Sequence, residues 1–362
     1  NRYVNSVGTN ECVLIVSPVD GLSISAFASA NVSTLATNGA TKAIGYYNNA
    51  DNTWTNYTTS TIGGAGNFPL GKGFQMATIA NGTGILSFTG SPAATNKTQA
   101  IINNDAANSG AGTRWNLVAN PFPSYINGNT AAGATNFMDV NSGVIDANFL
   151  GLYGYDADGI GSGYTVYNNT SAARRIAPGQ AFMVASDNPN VGNPDELSFT
   201  TAMRTTEGDD DFIAGRNSEN SFELILKLYE GDSEIDHTKF YFGDGLGLNL
   251  DPGYDAGHFN QGASLMSRLV EEDEGVGLVI NAMGLESVND VVAPLELNME
   301  AGNNFRISIG TFNINIGTNV YLEDNVQGTM TLLNDQDFEL TAENELSGVG
   351  RFFIHLTETV LS

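Results

Sequence analysis

The chain has 362 residues with 14 Lys plus Arg against 40 Asp plus Glu, a formal net charge of −26. So acidic a chain repels phosphate backbones and anionic lipid, which excludes nucleic-acid binding by charge, and no apolar run approaches the ~18 residues of a membrane span. Its length exceeds one ordinary core and predicts two or three domains, while 42 Gly among abundant Asn and Thr predicts a turn-rich β protein.

The chain begins at Asn1 without Met or a signal peptide, as expected of a piece of something longer. The single cysteine lies in the strand-like run Cys12-Val13-Leu14-Ile15-Val16. It can form no intrachain disulfide and reads as a buried small hydrophobe. This leaves an extracellular location open, since large β domains stand on their cores alone.

Two stretches repeat one another. Gly45-Tyr46 with Trp54, then Leu70-Gly71-Lys72-Gly73-Phe74-Gln75-Met76, then Leu86-Ser87-Phe88-Thr89 recur as Gly154-Tyr155 with Tyr164, Pro178-Gly179-Gln180-Ala181-Phe182-Met183-Val184 and Leu197-Ser198-Phe199-Thr200. Upstream, Leu14-Ile15-Val16-Ser17-Pro18-Val19 faces Leu117-Val118-Ala119-Asn120-Pro121-Phe122. One supersecondary unit has been copied, so residues ~10–95 and ~112–203 are expected to match, with Phe74 and Phe182 buried in equivalent places. The sequons at Asn31, Asn56, Asn81, Asn96, Asn168 and Asn169 all fall in this half, whose Asn- and Thr-rich composition accounts for them.

Charge divides the chain again. Residues 1–205 carry 8 basic and 11 acidic side chains, whereas residues 206–362 carry 6 and 29. The break falls at Glu207-Gly208-Asp209-Asp210-Asp211, which reads as a linker. The expected organisation is therefore a β unit over 1–105 (copy one), a second over 106–205 (copy two), and an acidic β-sandwich over 206–362.

Beyond the linker, Phe222 to Tyr229 places Phe222, Leu224, Leu226 and Leu228 on one face and Glu223 and Lys227 on the other, a half-buried strand. Phe305 to Ile309, Val320 to Leu322 and Arg351 to Leu356 alternate likewise. The best helix candidate runs from Asn260 or Ala263 to Val270, where Leu265, Met266 and Leu269 recur at helical spacing. The fold class expected is all-β: tandem antiparallel β-sandwich domains, jelly-roll-like, with the duplication in the first part.

The second half reads Asp236-His237-Thr238-Lys239-Phe240-Tyr241-Phe242, Leu250-Asp251-Pro252-Gly253-Tyr254-Asp255-Ala256-Gly257-His258-Phe259, Leu278-Val279-Ile280-Asn281-Ala282-Met283 and Ala293-Pro294-Leu295-Glu296-Leu297. It closes on Val320-Tyr321-Leu322-Glu323-Asp324-Asn325 and Gly350-Arg351-Phe352-Phe353-Ile354-His355-Leu356. This order resembles the β-sandwich region that precedes the C-terminal sorting domain in surface proteins exported by the type IX secretion system of Bacteroidota. Trp115 to Ser124 and Ile176 to Val184 are similar to a pattern found upstream in the same proteins. The resemblance implies a location outside the cell or on its outer surface. It also implies a partner in the secretion machinery, reached through a sorting domain that would follow a few residues after the last strand.

Chemistry is sparse in the sequence. His237, His258 and His355 sit in no nucleophile-elbow, metalloprotease or zinc-ligand pattern. His355 alternates within a strand and reads as structural, while His237 and His258 flank the acidic motif within reach of solvent. No enzymatic activity is expected and no cofactor is required. Asp244, Asp251 and Asp255 form the densest carboxylate set beside Gly-rich turns and suggest Ca²⁺; the alternative is that they cap turns. Asp156-Ala157-Asp158-Gly159 is a second, incomplete candidate. Tyr46, Tyr47, Trp54 and Tyr57 in copy one, and Tyr153, Tyr155, Tyr164 and Tyr167 in copy two, offer platforms for surface glycans, with Tyr46, Tyr47, Trp54, Tyr155 and Tyr164 the foremost. Core filling is the competing role. The leading expectation is a noncatalytic structural or adhesive module; the alternatives are a carbohydrate-binding module and a filament subunit that binds other copies of itself.

Overall fold

A computed structural model of the chain describes residues 2–4, 12–80, 82–105, 112–155, 164–188, 193–208, 222–259, 262–314 and 317–361. The fold is all-β, 47% strand and 8% helix, with multiple antiparallel sheets, a half-barrel and a nearly closed barrel-like sheet. The chain forms two compact units, one of residues 1–147, 151–158 and 171–216, the other of 148–150, 159–170 and 217–362. Residues 209–211 of the expected linker and all of Asp156 to Gly159 lie outside the described residues.

The first unit contains both copies, and they agree in detail. In copy one Val13–Ile15 pairs with Phe74–Met76 so that Val13, Leu14 and Ile15 face Met76, Gln75 and Phe74. In copy two Asn116, Leu117 and Val118 face Val184, Met183 and Phe182. The register is identical, and Phe74 (2% exposed) and Phe182 (0%) are buried in equivalent places. Each copy also carries a short helix, Ile24–Ala30 and Phe137–Asn141, begun by the side chain of Ser23 or Asn136 accepting a backbone N–H. Helices this short do not stand on propensity. They are held by Phe27 and Phe137, both fully buried, whose rings lie 4.7 Å from Phe88 and 5.4 Å from Phe199.

The copies also complete one another. Ile15 bridges Gln180, and Val118 bridges Lys72. The Val16 N–H donates to the Gly179 carbonyl (2.8 Å) while the Ala119 N–H donates to that of Gly71 (2.9 Å). These are reciprocal contacts of equivalent residues, the mark of a local pseudo-two-fold axis. Gly71 (φ +94°) and Gly179 (φ +69°) share a left-handed backbone that lets the carbonyl turn toward the other copy. Strand Lys97–Ile101, although within 1–105, pairs along Asp195–Phe199 of copy two, as Arg2–Tyr3 pairs with Ile85–Leu86 in copy one.

Eleven strands of the second unit make one sheet. Ser233–Gly243 and Leu278–Gly284 run parallel; every other pairing in the sheet is antiparallel. Its outermost strands, Thr329–Leu332 and Phe338–Thr341, follow one another in the chain, which leaves little open edge. The predicted alternation holds in Phe222–Glu230: Leu224, Leu226 and Leu228 are fully buried. Phe222, expected on that face, is 43% exposed because the strand begins there. The helix expected over 260–270 does not form. Ser264–Ser267 is a strand, with Leu265 opposite Leu297 and Met266 opposite Glu296. All four of its residues are buried, and a strand covered on both faces shows no alternation to distinguish it from helix.

Candidate functional site

Successive residues of Thr41–Asn48 point to opposite faces. Tyr47 faces Trp54 across the pair, ring centroids 5.3 Å apart, and its hydroxyl donates to Asn52 Oδ1 at 2.8 Å. Tyr47 is buried, which pushes its phenol up to about 12. Trp54 keeps 37% of its surface exposed. On the other face the half-buried Tyr46 stands 5.7 Å from Tyr57, and Lys72 Nζ lies 5.3 Å from the Tyr46 ring centroid. The first expected set is thus gathered in one place. The second is not repeated there: Tyr155 ends a strand of the first unit, whereas Tyr164 belongs to the second and packs its ring 4.2 Å from Phe259.

Where the copies meet, a cleft of about 150 Å³ is lined by Tyr47, Asn49 and Lys72 from copy one and by Gln99, Asn116 and Val118, among others, from copy two's side. Its amide wall is fixed. Asn49 Nδ2 donates to the Ile102 carbonyl (2.9 Å) and to Asn116 Oδ1 (3.1 Å), and Asn116 Nδ2 donates to the carbonyls of Ile102 and Arg114. Gln99 donates its amide nitrogen to the Ala100 carbonyl at 2.9 Å. Lys72 has no hydrogen bond or ion pair from its ammonium among the described residues, and burial holds that ammonium below its ordinary value. The equivalent position in copy two is Gln180, 3% exposed, whose Oε1 accepts the Ala177 N–H. Copy two uses the position for architecture and copy one does not. That difference between aligned copies, Lys against Gln, was the available signal for Lys72; Asn49, Gln99 and Asn116 gave none, because nothing local ties them to it.

The acidic turn is occupied otherwise. Asp255 is fully buried, its two oxygens accepting the N–H of Ala282 and of Asp251, each at 2.6 Å. Asp251 Oδ2 accepts the Gly247 N–H at 2.7 Å. Asn168 Nδ2 donates to the Tyr254 carbonyl at 2.6 Å, and the Asn169 N–H to that of Gly253. Both carboxylates therefore brace backbone, and Asp244 stands exposed on its own turn. Among the described residues no group of three His, Cys, Asp or Glu side chains is placed to hold a metal ion. Burial pushes the Asp255 carboxyl up to about 7, against the two N–H bonds that favour its charge.

The histidines divide. His237 is half-buried near Glu234, while His355 Nε2 meets Glu323 at 2.7 Å within the sheet. His258, expected within reach of solvent, has its side chain only 3% exposed and bonds Asp236 at 2.8 Å. Asp236 also accepts the Leu265 N–H, so the pair anchors the strand that begins there. Cys12, expected to be buried, is half-exposed just before its strand.

A family model described as a domain of unknown function (DUF8693) matches residues 1–355, nearly the whole chain and both compact units. No curated protein and no solved structure matches it.

Proposed function

The chain belongs to the DUF8693 family, and from that premise we propose that it is a noncatalytic structural or adhesive module of a secreted or cell-surface protein, exported by the type IX route through a sorting domain. One observation supports this reading most. Several of the polar side chains that could serve chemistry or carry a glycan bond the backbone: Asn31 in copy one, and Asp251, Asp255 and Asn168 in the acidic unit. Side chains bonded to distant backbone in this way rigidify the segments they join, which suits a spacer or a presenting platform. The test is labelling of intact producing cells with an antibody raised against the purified chain. Label on the outer surface is expected; protein confined to the cytosol would overturn the reading.

A second reading, a carbohydrate-binding module, is favoured by Trp54, which stays exposed against Tyr47 beside a polar cleft. Glycan-array binding by the wild-type chain, lost in Trp54→Ala, is the expected result.

A further inference from the structure

We infer that one face of the copy-one sheet binds a neutral pyranoside, with Trp54 as the stacking surface and the amide pair Asn56–Gln75 as the groups that hold its hydroxyls. The inference deepens the carbohydrate-binding reading and rests on it.

Strand register puts these three side chains on the same face. Gly45 stands opposite Asn56 on one side and opposite Gln75 on the other, and Tyr47, two residues further on, stands opposite Trp54. Alternation along each strand therefore gives Trp54, Asn56 and Gln75 one face, while Tyr46 and Tyr57 meet on the other. Gly45 has no side chain, and Asn56 Oδ1 and Gln75 Nε2 both lie over its backbone, nearer than ordinary contact to where a Cβ would stand. There Gln75 Nε2 donates to Asn56 Oδ1 at 2.7 Å.

That bond leaves half of each amide unused. Among the described residues neither Asn56 Nδ2 nor Gln75 Oε1 has a protein partner, so a donor and an acceptor stand side by side in one fixed pair. A sugar hydroxyl both donates and accepts, and two neighbouring hydroxyls match such a pair. Trp54 lies two residues away on the same strand, about 7 Å along it. Its indole is 37% exposed and is held by Tyr47, ring centroids 5.3 Å apart, so it can take the apolar face of a pyranose ring. The sugar expected is uncharged. Residues 52–71 carry no charged side chain, and the charge next to the strand is Asp51, whose carboxylate accepts the Thr53 hydroxyl and would repel an anion.

Copy two uses the matching positions differently. They are Tyr164, Val166 and Met183: Tyr164 packs on Phe259, Val166 packs against Ala256, Val279 and Ile280, and Met183 is 1% exposed. Both copies keep an aromatic at the first position. The amides belong to copy one alone, where Asn56 is exposed and Gln75 half-buried.

The test probes the full chain on an array of neutral, uronate, sialylated and sulfated oligosaccharides, then titrates the strongest binder by calorimetry into the wild type, Trp54→Ala, Asn56→Ala and the double variant Asn56→Val/Gln75→Met. Melting midpoints are read alongside. Neutral glycans are expected to bind, with little response to added NaCl. The double variant keeps the indole and carries the residues of copy two; it should bind about ten-fold or more weakly, the size of one or two lost hydrogen bonds. Asn56→Ala, a change at an exposed position, should lose several-fold and serves where the double variant does not fold. Binding confined to anionic glycans, or undiminished binding by a folded amide variant, overturns the inference and leaves the carbohydrate reading standing if Trp54→Ala still abolishes binding. An array on which the wild type binds nothing overturns both.

Discussion

Asn31 and Asn141 hold the same place in the two copies. Each side-chain amide donates to the carbonyl of the phenylalanine one turn before it, Phe27 or Phe137, and to that of a serine, Ser87 or Ser198; each amide oxygen takes the same serine's N–H at 2.7 Å. One side chain thus ends a helix and fastens a distant strand. The sequon at Asn31 is closed to glycan in the folded chain for the same reason, as is that at Asn168, which is fully buried.

Replacing either asparagine with alanine removes three hydrogen bonds, two of them to the half-buried serine. A loss of about 2–4 kcal/mol is expected for each. Urea unfolding of Asn31→Ala and Asn141→Ala checks it, and losses that differ by more than about 1 kcal/mol would mean that the copies, alike in geometry, are unequal in energy.

Gly179→Ala should destabilise more than Gly71→Ala. Both need a positive φ, which costs a non-glycine residue roughly 1–2 kcal/mol. A Cβ on Gly179 would also sit 2.6 Å from the Val16 carbonyl oxygen, whereas on Gly71 it meets only side chains, at 3.2 Å and beyond. Thermal melts of the two variants give the order directly.

Asp255 should titrate late. Between its ordinary value of 3.8 and about 7 the folded chain keeps a proton that the unfolded chain has released. The stabilisation from this carboxyl is therefore complete at acid pH and declines as pH rises through that interval, levelling above it. Carbon-13 NMR of the Asp255 carboxyl checks the value; a midpoint near 4 would mean that its two N–H bonds outweigh burial.

Calcium should leave the melting midpoint where it is. Asp251 and Asp255 have committed oxygens to backbone N–H groups, so binding would have to break those bonds. Melts with EGTA and with millimolar CaCl₂ are expected to coincide; a rise of several degrees in calcium alone, abolished in Asp251→Asn, would restore these residues as ligands.

The duplication was legible because apolar and glycine landmarks recur, and the structure repeats them down to the facing of Ile15 on Phe74 and Val118 on Phe182. Half-buried strands such as Phe222–Glu230 announced themselves by alternation. The two helices did not, since each is fixed by a cap and a distant aromatic. Ser264–Ser267 misled because both of its faces are buried. Of the candidate site, Tyr46, Tyr47 and Trp54 were visible as a local cluster. The cleft was not, because Lys72 and Asn116 become neighbours only once the copies exchange contacts.

That exchange has a consequence for how the polypeptide matures. Before copy two is made, Val16 and Gly71 lack the partners that Gly179 and Ala119 later supply, and Lys97–Ile101 waits for a strand ending near residue 199. Backbone edges that wait in this way for a partner are the kind most prone to pair with a neighbouring molecule. Closure is a late, long-range event and correspondingly slow. Up to that moment each newly made chain offers its unfinished edge to every other one nearby.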